Sequence, residues 1–300
     1  MAKLRRNHAK GSGGGMIVRV GVFAALLVGL VYFFNEFIGA NPEFEERTIA
    51  EAEPINEAAY NFLPTSTTGA IILNPYFALS YSEEHEQAEW VAYVLSGERL
   101  RKPWVQRTDE FLPDPQVPGK SATPYDYKGS GYDRGHLAPA ADMAFSEDAM
   151  QYSFLMSNIS PQSRNFNKGI WRELEELTRD WAKDNQALYV VTGPVLSERP
   201  KGAIGENEVS IPVAYFKVLL DYTEPQKKGI AFLIPNEVSY EPLFKYAVTI
   251  DEVEQVTGLD FFPKLLSEAE EPVLEGQFNI DWWEFSKKKF ELRTQKWNKD

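Results

Sequence analysis

Residues 129–142 read GSGYDRGHLAPAAD, and both the fold and the chemistry of the chain turn on this stretch. It sets Asp133, Arg134 and His136 among glycines, in a protein of 300 residues with three histidines and no cysteine. A histidine near its ordinary pKa is the natural base for activating water at neutral pH. The planar fork of an arginine matches two phosphate oxygens. Gly135 between them leaves room for a substrate backbone. Asp133 could orient a neighbouring side chain or fix the turn. The competing reading is a surface turn in which Asp133 and Arg134 pair with each other, and the quartet alone does not separate the two.

Composition narrows the setting. An apolar share of 43% and an aromatic share of 13% are ample for a sizeable core, so wholesale disorder is excluded. The absence of cysteine removes disulfides, thiolate zinc sites and cysteine nucleophiles together. His8, His85 and His136 are far apart, which disfavours an imidazole-rich zinc site and leaves a hard, oxygen-bound cation as the metal this composition suits. The net charge of −13 argues against a generic nucleic-acid coat protein. Residues 99–180, however, carry 11 basic against 12 acidic side chains, so the third of the chain around His136 is near neutral.

The amino terminus is basic and acid-poor over residues 1–15, then almost wholly apolar over residues 16–38. That length reaches the roughly 20 residues needed to cross a bilayer, with Arg19 snorkelling at one end. It is expected to be a transmembrane anchor; a secretory signal cut near Ala40 is the alternative, although Ile38 is not the small residue such a site prefers. Either way the charge asymmetry places the body outside the cytosol, periplasmic or extracellular, as a single-pass protein of the cell membrane or a secreted one. Residues 39–62, acidic and alanine-rich, read as a stalk, and residues 63–300 as the folded body.

Within the body, residues 69–74, 76–81 and 90–95 read as strands, and the proline-rich stretch 99–128 as irregular chain. Ser146 followed by two acids signals a helix start over residues 146–157. Residues 168–185 form the clearest helix, because Ile170, Leu174, Leu177 and Trp181 recur on one stripe. Residues 187–195, 209–220 and 229–235 read as interior strands, with a helix near 249–257 and an aromatic tail containing Trp282, Trp283 and Phe285. Strands on both sides of one helical region indicate an α+β fold.

Downstream of the opening stretch, Ser157 and Asn158 begin SNISPQ, and Asn167 stands at the head of the long helix. Asn167 is either an N-cap or an oxygen ligand for Mg2+, which keeps most of its waters. Glu175 lies about two helical turns further on and could hold a water beside such an ion. In this order, Asp133–Arg134–Gly135–His136, the Ser157–Gln162 element and the Asn167-to-Glu175 element resemble the DNA/RNA non-specific endonucleases of the ββα-metal class, the family of the Serratia nuclease and endonuclease G. The spacing of 31 residues from His136 to Asn167 matches that family.

The resemblance implies a ββα-metal nuclease core within a mainly antiparallel sheet flanked by helices, preceded here by one N-terminal transmembrane helix. It also implies a Mg2+-dependent endonuclease, with Mn2+ as the other ion, acting on DNA and RNA to leave 5′-phosphate ends. His136 would be the general base and Asn167 the metal ligand. Arg134 would grip phosphate, Glu175 would position a water on the metal, and Asn158 would support the substrate site. Arg107 is the candidate for a further phosphate-binding arginine, in an uncertain register, with a solvated loop residue as the alternative. Dimerisation is a family property that these residues do not decide. Two other functions fit the same residues: a catalytically inactive nucleic-acid-binding module, and a phosphodiesterase for small nucleotide esters. His85 and the run Lys287–Lys288–Lys289 read as solvated surface, and Asp126 and Asp142 as structural turn residues.

Overall fold

The computed structural model describes residues 60–197 and 199–299. Seven strands pair in an antiparallel sheet of order β1–β2–β3–β6–β9–β10–β11. These are β1 (Ala70–Leu73), β2 (Ala78–Ser82), β3 (Gln87–Ser96), β6 (Ala187–Pro194), β9 (Ala214–Asp221), β10 (Lys228–Pro235) and β11 (Ala247–Val248). The central strands are apolar on both faces, because each face is covered. Their alternation sorts residues into two core layers. Val91, Tyr93, Val190, Tyr215, Leu219, Ile230 and Phe232 enter one layer, and Trp90, Ala92, Val191, Phe216, Val218, Leu220 and Ala231 the other.

The first layer carries the elements around His136. Strands β4 (Tyr132–His136) and β5 (Ile159–Ser163) pair antiparallel, with Gly135 opposite Ser160 and His136 opposite Ile159. Between them lies α1 (Glu147–Ser153), whose N-cap Ser146 accepts from Ala149 N as the sequence predicts. After β5 a wide turn over Phe166–Trp171 leads into α2 (Arg172–Asp184). The predicted stripe holds: Ile170, Leu174, Leu177 and Trp181 are all buried in the first layer. Each such burial contributes about 2 kcal/mol. The predicted helix does not start at residue 168, because Gly169 leaves helical geometry (φ −98°, ψ −108°). A Cβ there would meet Asn298 Oδ1 at 2.6 Å, so the carboxy-terminal turn packs closely on this glycine.

One other expectation changes. The strand predicted over residues 209–220 is two strands: β8 (Val209–Ser210), which pairs with β7 (Ala203–Ile204), and β9. Pro212, with no N–H to give a ladder, falls between them. The helix α3 (Ile250–Thr257) has the predicted position, closed by a Thr249–Glu252 capping box and by Gly258 at φ +75°. A short α4 (Glu271–Leu274) and a carboxy-terminal α5 (Lys287–Gln295) complete the body, and the polar sequence of α5 hides its anchor. Arg293 is fully buried; it pairs with Glu173 and donates to the carbonyls of Ser239 and Glu241.

The expected basic tail, transmembrane anchor and most of the stalk lie outside the described residues. Among the described residues, no helix is long and apolar enough to cross a membrane. Packing of the body reaches back at least to Phe62, which is buried against Tyr189.

Candidate active site

Strand geometry decides the first question posed by residues 129–142. Neighbouring residues on β4 point to opposite faces, so Asp133 and Arg134 do not pair with each other. Asp133 instead accepts a hydrogen bond from Asn167 Nδ2 at 3.1 Å and lies 3.7 Å from Arg164 Nη1. Arg134 is exposed, with its guanidinium stacked 4.1 Å over the Phe111 ring. No carboxylate among the described residues forms an ion pair with it.

His136 closes β4 with its ring packed between Phe111 and Phe154, at centroid distances of 5.6 and 4.9 Å. Its Nε2 is buried and has no hydrogen-bond partner among the described residues. Burial, then the positive charges of Arg107 and Arg134, lower the His136 pKa to about 3. The imidazole is therefore neutral at neutral pH, with a ring nitrogen free to take a proton. Arg107 sits 4.8 Å over Phe154 and pairs with Asp109 at 2.6 Å, half-exposed. Phe111 and Phe154 thus form one platform that carries both arginines and the histidine between them. No sequence spacing announces it, because Phe111 stands in the irregular proline-rich stretch.

Asn167 lies in the wide turn before α2. Only its NH2 group can donate to the Asp133 carboxylate, which fixes the amide orientation and leaves Oδ1 as a free acceptor. That oxygen suits a hard divalent cation, which needs few protein ligands. Asn158 does not fit the substrate contact expected of it. It is fully buried, accepting from Ala138 N at 2.8 Å and donating to Ala138 O and Ser153 O at 2.9 and 2.8 Å. It braces the chain leaving His136 instead. The clearance at Gly135 is also used internally, since an added Cβ would meet the Gln162 side chain at 2.2 Å. Gly129 and Gly131, at φ +73° and +84°, face open space and shape the turn before β4.

Glu175 belongs to a largely buried charge group that the sequence only half reveals. Asp142 accepts from Arg179 Nη1 at 2.9 Å and from the Tyr93 hydroxyl at 2.8 Å, so it ties the end of the 129–142 stretch to α2. Lys217 enters from β9, almost fully buried, with Nζ 4.9 Å from the Trp171 ring centre and no hydrogen-bond partner among the described residues. Burial raises the Glu175 pKa, opposed by Lys217 and Arg179. Burial likewise lowers that of Lys217, opposed by Glu175 and Asp142. The signal for Lys217 is a single lysine inside the apolar run of β9, a position where a charge survives only when compensated.

Other expectations resolve simply. His85 is partly buried rather than solvated, with Nδ1 3.0 Å from Ser210 Oγ. Asp126 is a turn residue, accepting from Thr123 N and from the side chain of Asn207. Within the lysine run, Lys289 binds Glu176 and Asp180, which docks α5 on α2.

Comparison with known proteins identifies the family. Residues 56–268 match the family model described as DNA/RNA non-specific endonuclease. The chain is 32% identical over 84% of its length to the mitochondrial nuclease EXOG of Xenopus laevis, covering 73% of that protein. It is 36% identical over 64% of its length to human mitochondrial endonuclease G, covering 69% of that protein. Nuclease C1 of Cunninghamella echinulata var. echinulata is 33% identical, with 71% of this chain and 90% of that one covered. The crystal structure of an EndoG/EndoGI complex superposes with a TM-score of 0.65 at 26% identity, over 72% of this chain and 95% of that one. These findings correct the expected location. The relatives from Xenopus and human are named as mitochondrial, and a single-pass protein of the cell membrane, or one secreted from it, is not supported. A basic, acid-poor start followed by an apolar run is shared by membrane anchors and targeting leaders, so the pattern alone does not separate them.

Proposed function

The chain belongs to the DNA/RNA non-specific endonuclease family and is a nuclease, and from that premise we propose that it hydrolyses phosphodiester bonds of both DNA and RNA in a Mg2+-dependent reaction. The observation that carries the reading is the neutral, unpartnered Nε2 of His136, held between two arginines at the end of the strand whose Asp133 holds the Asn167 amide. The catalytic unit is the strand pair β4–β5 followed by α2, a ββα-metal arrangement, set in a nuclease domain that begins no later than Phe62.

Arg134 and Arg107 bind the scissile phosphate and balance the charge that develops on it. Burial is the first cause of the low His136 pKa and the two arginines the second; an anion there offsets the second, so substrate binding raises the pKa and makes the imidazole a stronger base. His136 takes the proton of the attacking water at Nε2. Asp133 fixes the Asn167 amide so that Oδ1 points away from its own partner. Mg2+ held by Asn167, or Mn2+ in its place, would neutralise phosphate charge and the leaving 3′ oxygen. Glu175 orients water on the same side of the site. Attack directed at phosphate and not at base edges accounts for tolerance of both nucleic acids, and departure of the 3′ oxygen, which takes up a proton, leaves 5′-phosphate ends.

The test is incubation of the protein with plasmid DNA, with RNA and with a mononucleotide ester, each with Mg2+ and with EDTA. Cleavage of both polymers that EDTA abolishes is the expected result. Turnover of the small ester alone would favour a phosphodiesterase, and binding of polymer without turnover an inactive module; either result overturns the proposal.

A further inference from the structure

The second core layer, on the face of the sheet away from Ile170, Leu174 and Leu137, includes Ile250, Val253 and Leu274 from α3 and α4. Where these two helices meet, Asp251 and Glu254 project from α3, and Glu275 follows α4. The carbonyl of Glu275 accepts from Ile250 N at 2.9 Å and from Asp251 N at 3.2 Å, which fixes the junction against the first turn of α3. One carboxylate oxygen from each of Asp251, Glu254 and Glu275 lies within 4.8 Å of the others.

Acidic clusters alone are common on surfaces, but this one has a buried member. Glu275 is 1% exposed, and its Oε1 has no hydrogen-bond partner among the described residues. The charged groups that act most strongly on it are all carboxylates, Glu254, Glu271, Asp251 and Asp260. Burial, reinforced by these four, pushes its pKa up to about 9. Glu254 Oε1 already accepts from Phe261 N at 2.8 Å, so it is held in place. A Cβ at Gly276 would lie 2.8 Å from Pro272 O and 3.2 Å from Asp251 Oδ2, so a carbonyl and a carboxylate converge on this glycine.

A proton on Glu275 would neutralise only one of the three carboxyl groups that converge here. A hard cation relieves the repulsion and satisfies the oxygens together. Three carboxylates from the protein, with a backbone carbonyl nearby, suit Ca2+, which takes many oxygen ligands in a flexible shell, better than Mg2+, which keeps its waters and uses one or two carboxylates. We propose that Asp251, Glu254 and Glu275, with the Pro272 carbonyl nearby, form a Ca2+ site that clamps α3 to the end of α4 and is separate from the catalytic residues.

Calorimetric titration of CaCl2 into the wild type, Glu275→Gln, Glu254→Gln and Asn167→Ala tests this. One Ca2+ equivalent is expected in the wild type and in Asn167→Ala, and its loss in both glutamine variants. Saturating Ca2+, about 100 times Kd, should raise the wild-type Tm by roughly 5 °C or more and leave the Tm of Glu275→Gln unmoved. Circular dichroism verifies that each variant is folded, and Glu254→Gln carries the test if Glu275→Gln is not. The proposal is overturned if the wild type binds no Ca2+, if binding survives both glutamine substitutions, or if Asn167→Ala alone abolishes it. A Tm that is independent of Ca2+ and equal in wild type and Glu275→Gln would show a protonated acid in place of a cation site.

Discussion

Replacing His136 by glutamine should make the protein less sensitive to acid, and the size of the effect follows from where the ring sits. The imidazole has a pKa of about 3 in the fold, against about 6.5 in an unfolded chain. The unfolded state therefore binds a proton across this interval while the folded state does not. Stability from this residue is complete above pH 6.5 and drains as pH falls toward 3. Between pH 7.5 and 4.5 the loss amounts to about 2.7 kcal/mol, and it changes by only about 0.1 kcal/mol if the folded value is 4 instead of 3. Urea unfolding at both pH values, for wild type and His136→Gln, isolates the contribution, because other groups that titrate in the window are shared. The wild type should lose about 2.7 kcal/mol more than the variant on acidification. Equal losses would mean that His136 is not held neutral by burial between Arg107 and Arg134, and the case for it as a poised base would fail.

Asp133→Ala removes the carboxylate that orients Asn167, so the Mg2+ concentration for half-maximal cleavage should rise about 10- to 100-fold with the fold intact. An unchanged metal requirement in a Mg2+ titration would remove Asp133 from the site. Asn158→Ala leaves two carbonyls and one N–H without partners and should cost about 3 kcal/mol in chemical denaturation. A rise in KM without that loss would instead restore Asn158 as a substrate contact. Arg293→Met breaks a fully buried pair with Glu173 and should destabilise by about 3–5 kcal/mol, read as a lower urea midpoint.

The long helix and the sheet are legible in the sequence because their residues repeat with the period of their own geometry. The stripe Ile170–Leu174–Leu177–Trp181 states which face of the helix is covered, and the apolar run of β9 states that both of its faces are. The reactive residues are legible for a different reason: His136, Arg134 and Asn167 are uncommon groups at short, ordered spacings. Their settings are not legible, because contacts between distant segments make them. The Phe111–Phe154 platform joins a proline-rich loop to the end of α1, and Lys217 reaches Glu175 from another strand. Arg293 looks like surface charge until Glu173 and two carbonyls bury it. The glycine beside His136 has the same lesson, since its clearance is filled by Gln162 from the paired strand. Asn158 reads as a polar site residue in a motif, yet its whole amide is consumed in bracing the chain after β4.

The most direct test of the catalytic assignment is the initial rate of plasmid cleavage, with Mg2+ and with EDTA, for wild type, His136→Ala and Asn167→Ala. The wild type should cut only with Mg2+, His136→Ala should be slower by about 10²- to 10⁴-fold, and Asn167→Ala should fail to recover at any Mg2+ concentration. Mg2+-dependent cleavage at the wild-type rate in either folded variant would contradict a site built from the base on β4 and the metal ligand before α2.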